Sequence, residues 1–280
     1  MTDKNPKVSV LIATYNRSRF LPRAVESVLT QSFRNLEVII SDCRSTDNTA
    51  EVARIFERKD SRVHYFQGEP TKLIAVTSNF GLRHARGQYV AILDDDDLWI
   101  DPEKIKKQVE FLDKNPEYVA CGGGMVAVDK SGKEMFKFLK PISDEDIKSR
   151  ALFANPIANS TALFRMDAAK KVGLYDEGLL QFADWDFWLK LGKVGKFRNF
   201  PEYFADYTVW ERGQSFAKQR ENAASAVVIV FRYRRYYKGF IGALTLALLY
   251  LGYAFLPNWL RSWINPTMTG LKKTIFGVKK

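Results

Sequence analysis

Hydrophobic positions fall along this chain in short dense runs, separated by stretches in which they recur at helical spacing. Val8-Ser9-Val10-Leu11-Ile12-Ala13 and Leu36-Glu37-Val38-Ile39-Ile40 are β-branched runs of the kind that form buried strands. Val63-His64-Tyr65-Phe66 and Tyr89-Val90-Ala91-Ile92-Leu93 read the same way. Between them, Phe20 to Gln31 places Leu21, Ala24, Val25, Val28 and Leu29 at helical spacing. Thr49 to Phe56 and Asn79 to Arg86 read as further helices, the second closed by Gly87 as a C′ glycine. Strands alternating with helices predict βαβ units, hence an α/β fold with a mainly parallel sheet flanked by helices.

The later pattern is less regular. Pro102 to Asp113 is an amphipathic helix with Pro near its first position. Tyr118 to Val128 reads as a strand interrupted by Gly122-Gly123-Gly124, which implies close approach by a backbone or a ligand. A strand near Thr161-Phe164 and helices over Asp167–Val172 and Asp184–Leu191 follow.

Composition changes this picture in two places. The 280 residues accommodate one large domain, or one domain with an appendage. The net charge of +11 is uneven: residues 218–280 carry eleven Lys or Arg against Glu221 alone, so the preceding part is nearly neutral. The chain therefore divides into residues 1–217 and a basic tail, residues 218–280. Cys43 and Cys121 fit neither a disulfide framework nor a zinc spacing, which points to a reducing compartment, and the first residues show no apolar signal segment. His64 and His84 lack metal-ligand spacing and read as structural.

The strongest chemical signal is Asp94-Asp95-Asp96-Asp97, placed straight after the strand ending at Leu93. Adjacent carboxylates repel, and a fold gains nothing from them unless a cation arrives. Mg²⁺ and Mn²⁺ take oxygen ligands, typically one or two carboxylates with substrate phosphates completing the shell. Open α/β sheets bind ligands at the carboxyl ends of their strands, where this run lies. A solvated acidic turn or a helix N-terminus would also accept such a run, and Asp97 reads equally as a cap for the following helix.

Four blocks in order decide between these readings. They are Val8 through Thr14-Tyr15-Asn16; Asp42-Cys43-Arg44-Ser45-Thr46-Asp47; Asn79 through Gly87 into Leu93-Asp94-Asp95-Asp96-Asp97-Leu98-Trp99; and Asp184-Trp185-Asp186-Phe187-Trp188. Together they resemble the inverting glycosyltransferases of family two, which have the Rossmann-like GT-A fold, over roughly residues 7–215. The resemblance implies a sugar transferred from a nucleotide-sugar donor, UDP- or dTDP-linked, to a saccharide acceptor in surface polysaccharide assembly. It implies a base pocket at Thr14, Tyr15 and Asn16, with Asp42 accepting the imide N–H of the base. It implies Asp94 and Asp95 as ribose and supporting contacts, Asp96 as ligand to Mn²⁺ or Mg²⁺, and Asp184 as general base. Asn159, Trp185 and Asp186 are candidates for the sugar or acceptor pocket. Two departures stand out: Cys43 replaces a common second acid, and Ala183 replaces the usual Glu before the base.

The tail bears on the acceptor. Gly239 to Leu260 carries no charge, and the 18 residues before Pro257 approach the length of a bilayer span. Arg232, Arg234, Arg235 and Lys238 precede it, and Arg261, Lys272 and Lys273 follow. Apolar residues interleaved with cations favour an anionic membrane surface over nucleic acid. Helices lying in the interface, a true span, and a helix packed on the domain or on a second copy in a homo-oligomer all fit. A peripheral position on the cytoplasmic face of the membrane would bring the enzyme to a lipid-linked acceptor. A sugar-nucleotide-forming nucleotidyltransferase would need a Gly-rich loop after the first strand, where this chain has Thr14-Tyr15-Asn16-Arg17. A non-catalytic nucleotide- or membrane-binding module would have no use for both the Asp cluster and Asp184.

Overall fold

The computed structural model describes residues 5–71, 73–209, 218–257 and 261. Strand β1 (Val8–Thr14) lies between β2 (Leu36–Asp42) and β4 (Tyr89–Ile92), parallel to both, and β3 (Val63–Gln67) extends the parallel set beyond β2. The sheet is then continued by antiparallel additions. β8 (Leu163–Arg165) runs against β4 and against the long β6 (Tyr118–Val128), which pairs with β7 (Glu134–Phe138) and, in parallel, with β9 (Lys196–Thr208). The two-residue β5 (Leu98–Trp99) closes the path on β9, giving a mixed nine-stranded sheet around the expected parallel core.

Side-chain alternation sorts the core into two layers. Val8, Val10 and Ile12 point to the face covered by α1 (Leu21–Leu29), α2 (Thr49–Lys59) and α4 (Lys104–Lys114). Leu11, Ile39, Val90 and Ile92 point to the other face, under α3 (Ile74–His84), α5 (Asp144–Arg150), α6 (Met166–Lys171) and α7 (Ala183–Gly192). The third helix ends at His84, so Gly87 does not cap it. Gly87 is required because a Cβ there would lie 2.5 Å from the backbone nitrogen of Ser9.

The glycine run in β6 answers to side chains of this same chain. A Cβ on Gly122 would meet Ile157 and Asn199, one on Gly123 would meet Phe204, and one on Gly124 would meet Leu139 and Tyr203.

Of the three readings of the tail, packing on the domain is the one the described residues adopt. Helices α8 (Gln219–Arg232) and α9 (Phe240–Phe255) lie on one another, and Ala226, Ile229, Val230, Ala243 and Ala247 join the α7 core. No helix among the described residues is long and apolar enough to cross a membrane. Phe231, Tyr236, Ile241, Leu249 and Phe255 remain exposed on the outer faces of this pair.

Candidate active site

Strand register assembles the site. Thr14 pairs with Asp42, and Leu11 with Ile92, so the carboxyl ends of β1, β2 and β4 share one edge of the sheet. Because β8 runs antiparallel to β4, with Ala91 opposite Leu163, the chain entering β8 passes over that same edge. That entering segment is a single 3₁₀ turn, Asn159–Thr161, and it holds the acidic run in place. Asn159 Nδ2 donates to Asp94 Oδ1 at 2.9 Å. The Ser160 hydroxyl accepts from the Asp94 backbone N–H at 3.2 Å and donates to the Asp97 carboxylate, while its carbonyl accepts from the Trp99 indole at 2.7 Å.

Asp97 therefore caps no helix. It is buried against Ser160 and runs directly into β5, and α4 begins only at Lys104. The other three acids face a part-buried cleft. Burial, reinforced by the neighbouring carboxylate of Asp96, pushes the Asp94 carboxyl up to about 6. Burial raises Asp95 to about 7, against the pull of the Thr14 hydroxyl and the Arg17 charge. Arg17, just after β1, stands 3.8 Å from both Asp95 and Asp96.

The acids fit a hard divalent cation through the chemistry of the donor set: clustered, desolvated carboxylate oxygens whose mutual repulsion a cation would relieve. Among the described residues no three acidic, His or Cys side chains converge on one point. Mg²⁺ and Mn²⁺ sites commonly use one or two carboxylates and complete the shell with substrate phosphates and water.

The loops after β1 and β2 tie most of their polar side chains to one another. Tyr15 is 40% exposed at the cleft rim, free to present its ring face. Asn16 adopts a left-handed φ of 54°, and its Oδ1 accepts the Thr46 backbone N–H at 2.7 Å, so it ties the β1 loop to the β2 loop. Asp42 is fully buried, and both its oxygens are engaged by this chain. Oδ1 accepts from the Ser45 N–H and hydroxyl at 2.9 and 2.7 Å, and Oδ2 accepts from the Tyr65 hydroxyl at 2.7 Å. Its geometry is that of a brace between β2, β3 and the following loop. Cys43 is buried too, its thiol raised by desolvation.

Asp184 lies in the first turn of α7, beyond Phe182 in the left-handed region at φ 60°. Asn155 Nδ2 donates to its Oδ2 at 2.5 Å. Burial raises its pKa, opposed by backbone donors at the helix start, by Asn155 and by the Lys140 charge. Asp184 in turn raises Asp94, so the base candidate and the acidic run feel each other across one cleft. The Tyr175 hydroxyl, buried between both, is pushed up by desolvation and by these two charges. Asn79 secures this wall, donating to the Tyr175 carbonyl at 2.9 Å and to Glu177 at 2.8 Å.

Trp185 and Asp186 turn away from the cleft, because successive helical residues face different directions. The Trp185 indole donates to the Ala151 carbonyl at 2.7 Å. Asp186 is fully buried and accepts from Arg232 at 2.7 Å and Tyr233 at 2.9 Å. The structure thus brings together Thr14, Asp94, Asp95, Asp96, Asn159 and Asp184, with Tyr15 at the rim. Sequence reasoning missed Arg17, Lys140, Asn155, Ser160 and Tyr175. Of these, Arg17 carried a signal by following the first motif and Ser160 by following Asn159, while Lys140, Asn155 and Tyr175 lay outside every motif.

The acidic cluster at the carboxyl edge of the sheet, with the Asp184 carboxylate close enough to act on Asp94, is the candidate site of this α/β fold. Residues 9–173 match the model of Glycosyl transferase family 2, and the chain belongs to that family. It is 32% identical over 220 residues to EpsE of Bacillus subtilis (strain 168), named as a glycosyltransferase, covering 78% of this chain and 77% of that one. Its fold resembles S. aureus TarS 1-349 in complex with UDP-GlcNAc (TM-score 0.68, 19% identity, 86% of this chain and 71% of that one). It also resembles the mannosyltransferase PcManGT from Pyrobaculum calidifontis in complex with GDP-Man and Mn²⁺ (TM-score 0.65, 20% identity, 95% of this chain and 80% of that one).

Proposed function

We propose that this glycosyltransferase is a metal-dependent, inverting enzyme that moves a sugar from a UDP- or dTDP-sugar to a saccharide acceptor carried on a lipid, in surface polysaccharide assembly. The observation that carries the reading is the pairing of Asp94, Asp95 and Asp96 at the end of β4 with Asp184 across the cleft. Asp184 takes the proton of the acceptor hydroxyl, whose oxygen bonds to the donor C1 from the face opposite the leaving group. The C1–O bond to the diphosphate breaks, and its electrons leave with the nucleoside diphosphate. A Mn²⁺ or Mg²⁺ held by Asp96 would offset charge on that diphosphate. Arg17 keeps the acidic run oriented, and the Tyr15 ring offers the base a stacking face. The buried Oδ1 atoms of Asn155 and Asn159, which have no hydrogen-bond partner, stand ready to accept from sugar hydroxyls.

The tail supports a cytoplasmic, membrane-peripheral position. Phe231, Tyr236 and Ile241 are exposed and lie within a few residues in sequence of Arg234, Arg235 and Lys238, an apolar and cationic segment suited to anionic lipid.

The test is thermal denaturation with UDP, dTDP, GDP and CDP, each with and without Mn²⁺. Ligand at a hundred times its Kd stabilises by about 2.7 kcal/mol, roughly 5–10 °C here. A shift with UDP or dTDP that needs Mn²⁺ is the expected result. A shift with GDP alone would overturn the donor assignment, and the inward commitment of Asp42 makes that arm essential. No shift with any nucleotide would overturn the nucleotide site.

A further inference from the structure

Beside Asn155 and Lys140, the two neighbours of Asp184, the fold leaves a cleft of about 440 Å³. Its lining is mainly carbon, from Phe138, Leu139 and Phe153 among others, with two cations, Lys140 and Arg150, and no acid. Volume and composition are those of a small-molecule site. Two lining groups join it to the candidate base: Asn155 donates to Asp184 at 2.5 Å, and the Lys140 ammonium lies close enough to favour the ionised Asp184 carboxylate. An acceptor hydroxyl that reaches Asp184 must carry the rest of its molecule into the space beside it.

That space is poorly made for a bare oligosaccharide, whose many hydroxyls would meet few polar partners. It suits an amphiphile with an anionic joint. Phe153 extends the argument to the tail, because a Cβ on Gly239 would lie 2.6 Å from its Cε2. The cleft therefore adjoins the start of α9, where Ile241 is 80% exposed and Lys238 stands two residues from Phe240.

We propose that the cleft is an acceptor-lipid subsite: an apolar chain lies over Phe138, Leu139 and Phe153, and the phosphate joining it to the acceptor saccharide pairs with Lys140 and Arg150. The subsite deepens the glycosyl-transfer reading and rests on it for the role of Asp184. The committed source is a phosphate-linked lipid.

Calorimetric titration with decyl phosphate, kept below its micelle threshold, tests the subsite on the full chain. Ser149 lines the cleft from the exposed side of α5, so Ser149→Trp fills it without disturbing the core. Binding to the native protein, weakened at least tenfold by Ser149→Trp, is expected. Arg150→Gln, also at an exposed position, is expected to weaken decyl phosphate several-fold while leaving decanol unchanged. Equal binding to native protein and Ser149→Trp would overturn the proposal by placing the chain elsewhere, such as on the outer face of α8 and α9. No binding, or decanol binding as tightly as decyl phosphate, would overturn it too. The UDP and Mn²⁺ thermal shift, measured on the same samples, should be unchanged in both variants. Its absence from the native protein counts against the donor reading alone, since the decyl phosphate titration is read independently.

Discussion

Arg232, at the end of α8, donates to the buried carboxylate of Asp186 at 2.7 Å, two residues beyond Asp184 on α7. The same guanidinium reaches Asp176 at 2.7 Å, so one tail side chain fastens both the helix that carries the candidate base and the loop before it. Arg232 is only partly covered, and Lys190 stands 3.5 Å from the other Asp186 oxygen.

Removing the arginine leaves a fully buried carboxylate short of its main partner. We expect Arg232→Ala to cost roughly 2–3 kcal/mol, below the full range for breaking a buried pair because Lys190 and Tyr233 remain. Calorimetry should show a melting point lower by about 5–10 °C, and Asp186→Asn in the same background should recover part of it.

Asp184→Asn keeps the shape of the cleft and the Asn155 neighbour while removing the proposed proton acceptor. Transfer to acceptor should fall by roughly 10²–10⁴-fold in kcat. The nucleotide-induced thermal shift should be retained, which separates loss of chemistry from loss of folding.

Ser160→Ala removes the hydroxyl that links the Asp94 backbone to the Asp97 carboxylate. The acidic run then loses its alignment, and affinity for Mn²⁺ with nucleotide should weaken by about 10–100-fold, read by titration calorimetry. Unaltered affinity would mean that Ser160 does no more than pack.

Lys104 gives a pH signature. It is fully buried, its ammonium 4.0 Å from the Trp99 ring centroid and bonded to Gln108 at 2.8 Å, and burial drives it down to about 7. Between pH 7 and the ordinary lysine value near 10.4, the unfolded chain binds a proton that the native state does not. Stability due to this group therefore rises with pH through that window. Urea midpoints at pH 7 and 9.5 should show a gain on the order of 2 kcal/mol that Lys104→Met abolishes.

Gly123→Ala would place a Cβ 2.3 Å from the Phe204 ring. Overpacking of this kind costs about 1–3 kcal/mol, and the melting curve should record it with the nucleotide response intact.

The N-terminal strands were legible because they are dense, β-branched and buried on both faces, a pattern that few other structures accept. β9 was not legible: its burial alternates irregularly, Pro201 interrupts it, and its partner β6 lies about eighty residues upstream. The same limit applied to single residues. Asp97 and Asp186 looked like a cap and a pocket residue from their neighbours in sequence, but Ser160 and Arg232, distant along the chain, bury them in other roles. Asp42 sat at the expected strand end, yet Tyr65 and Ser45 turn it inward.

Local pattern by itself determined the strand–helix order, the acidic run at the end of β4 and the carboxylate at the start of α7, since each depends on residues within a few positions of one another. Tertiary structure decided which carboxylates face a common cleft, that the 3₁₀ turn before β8 supports them, and that the tail closes on α7. Those outcomes depend on desolvation and on partners brought in from far along the chain, and no local pattern encodes either.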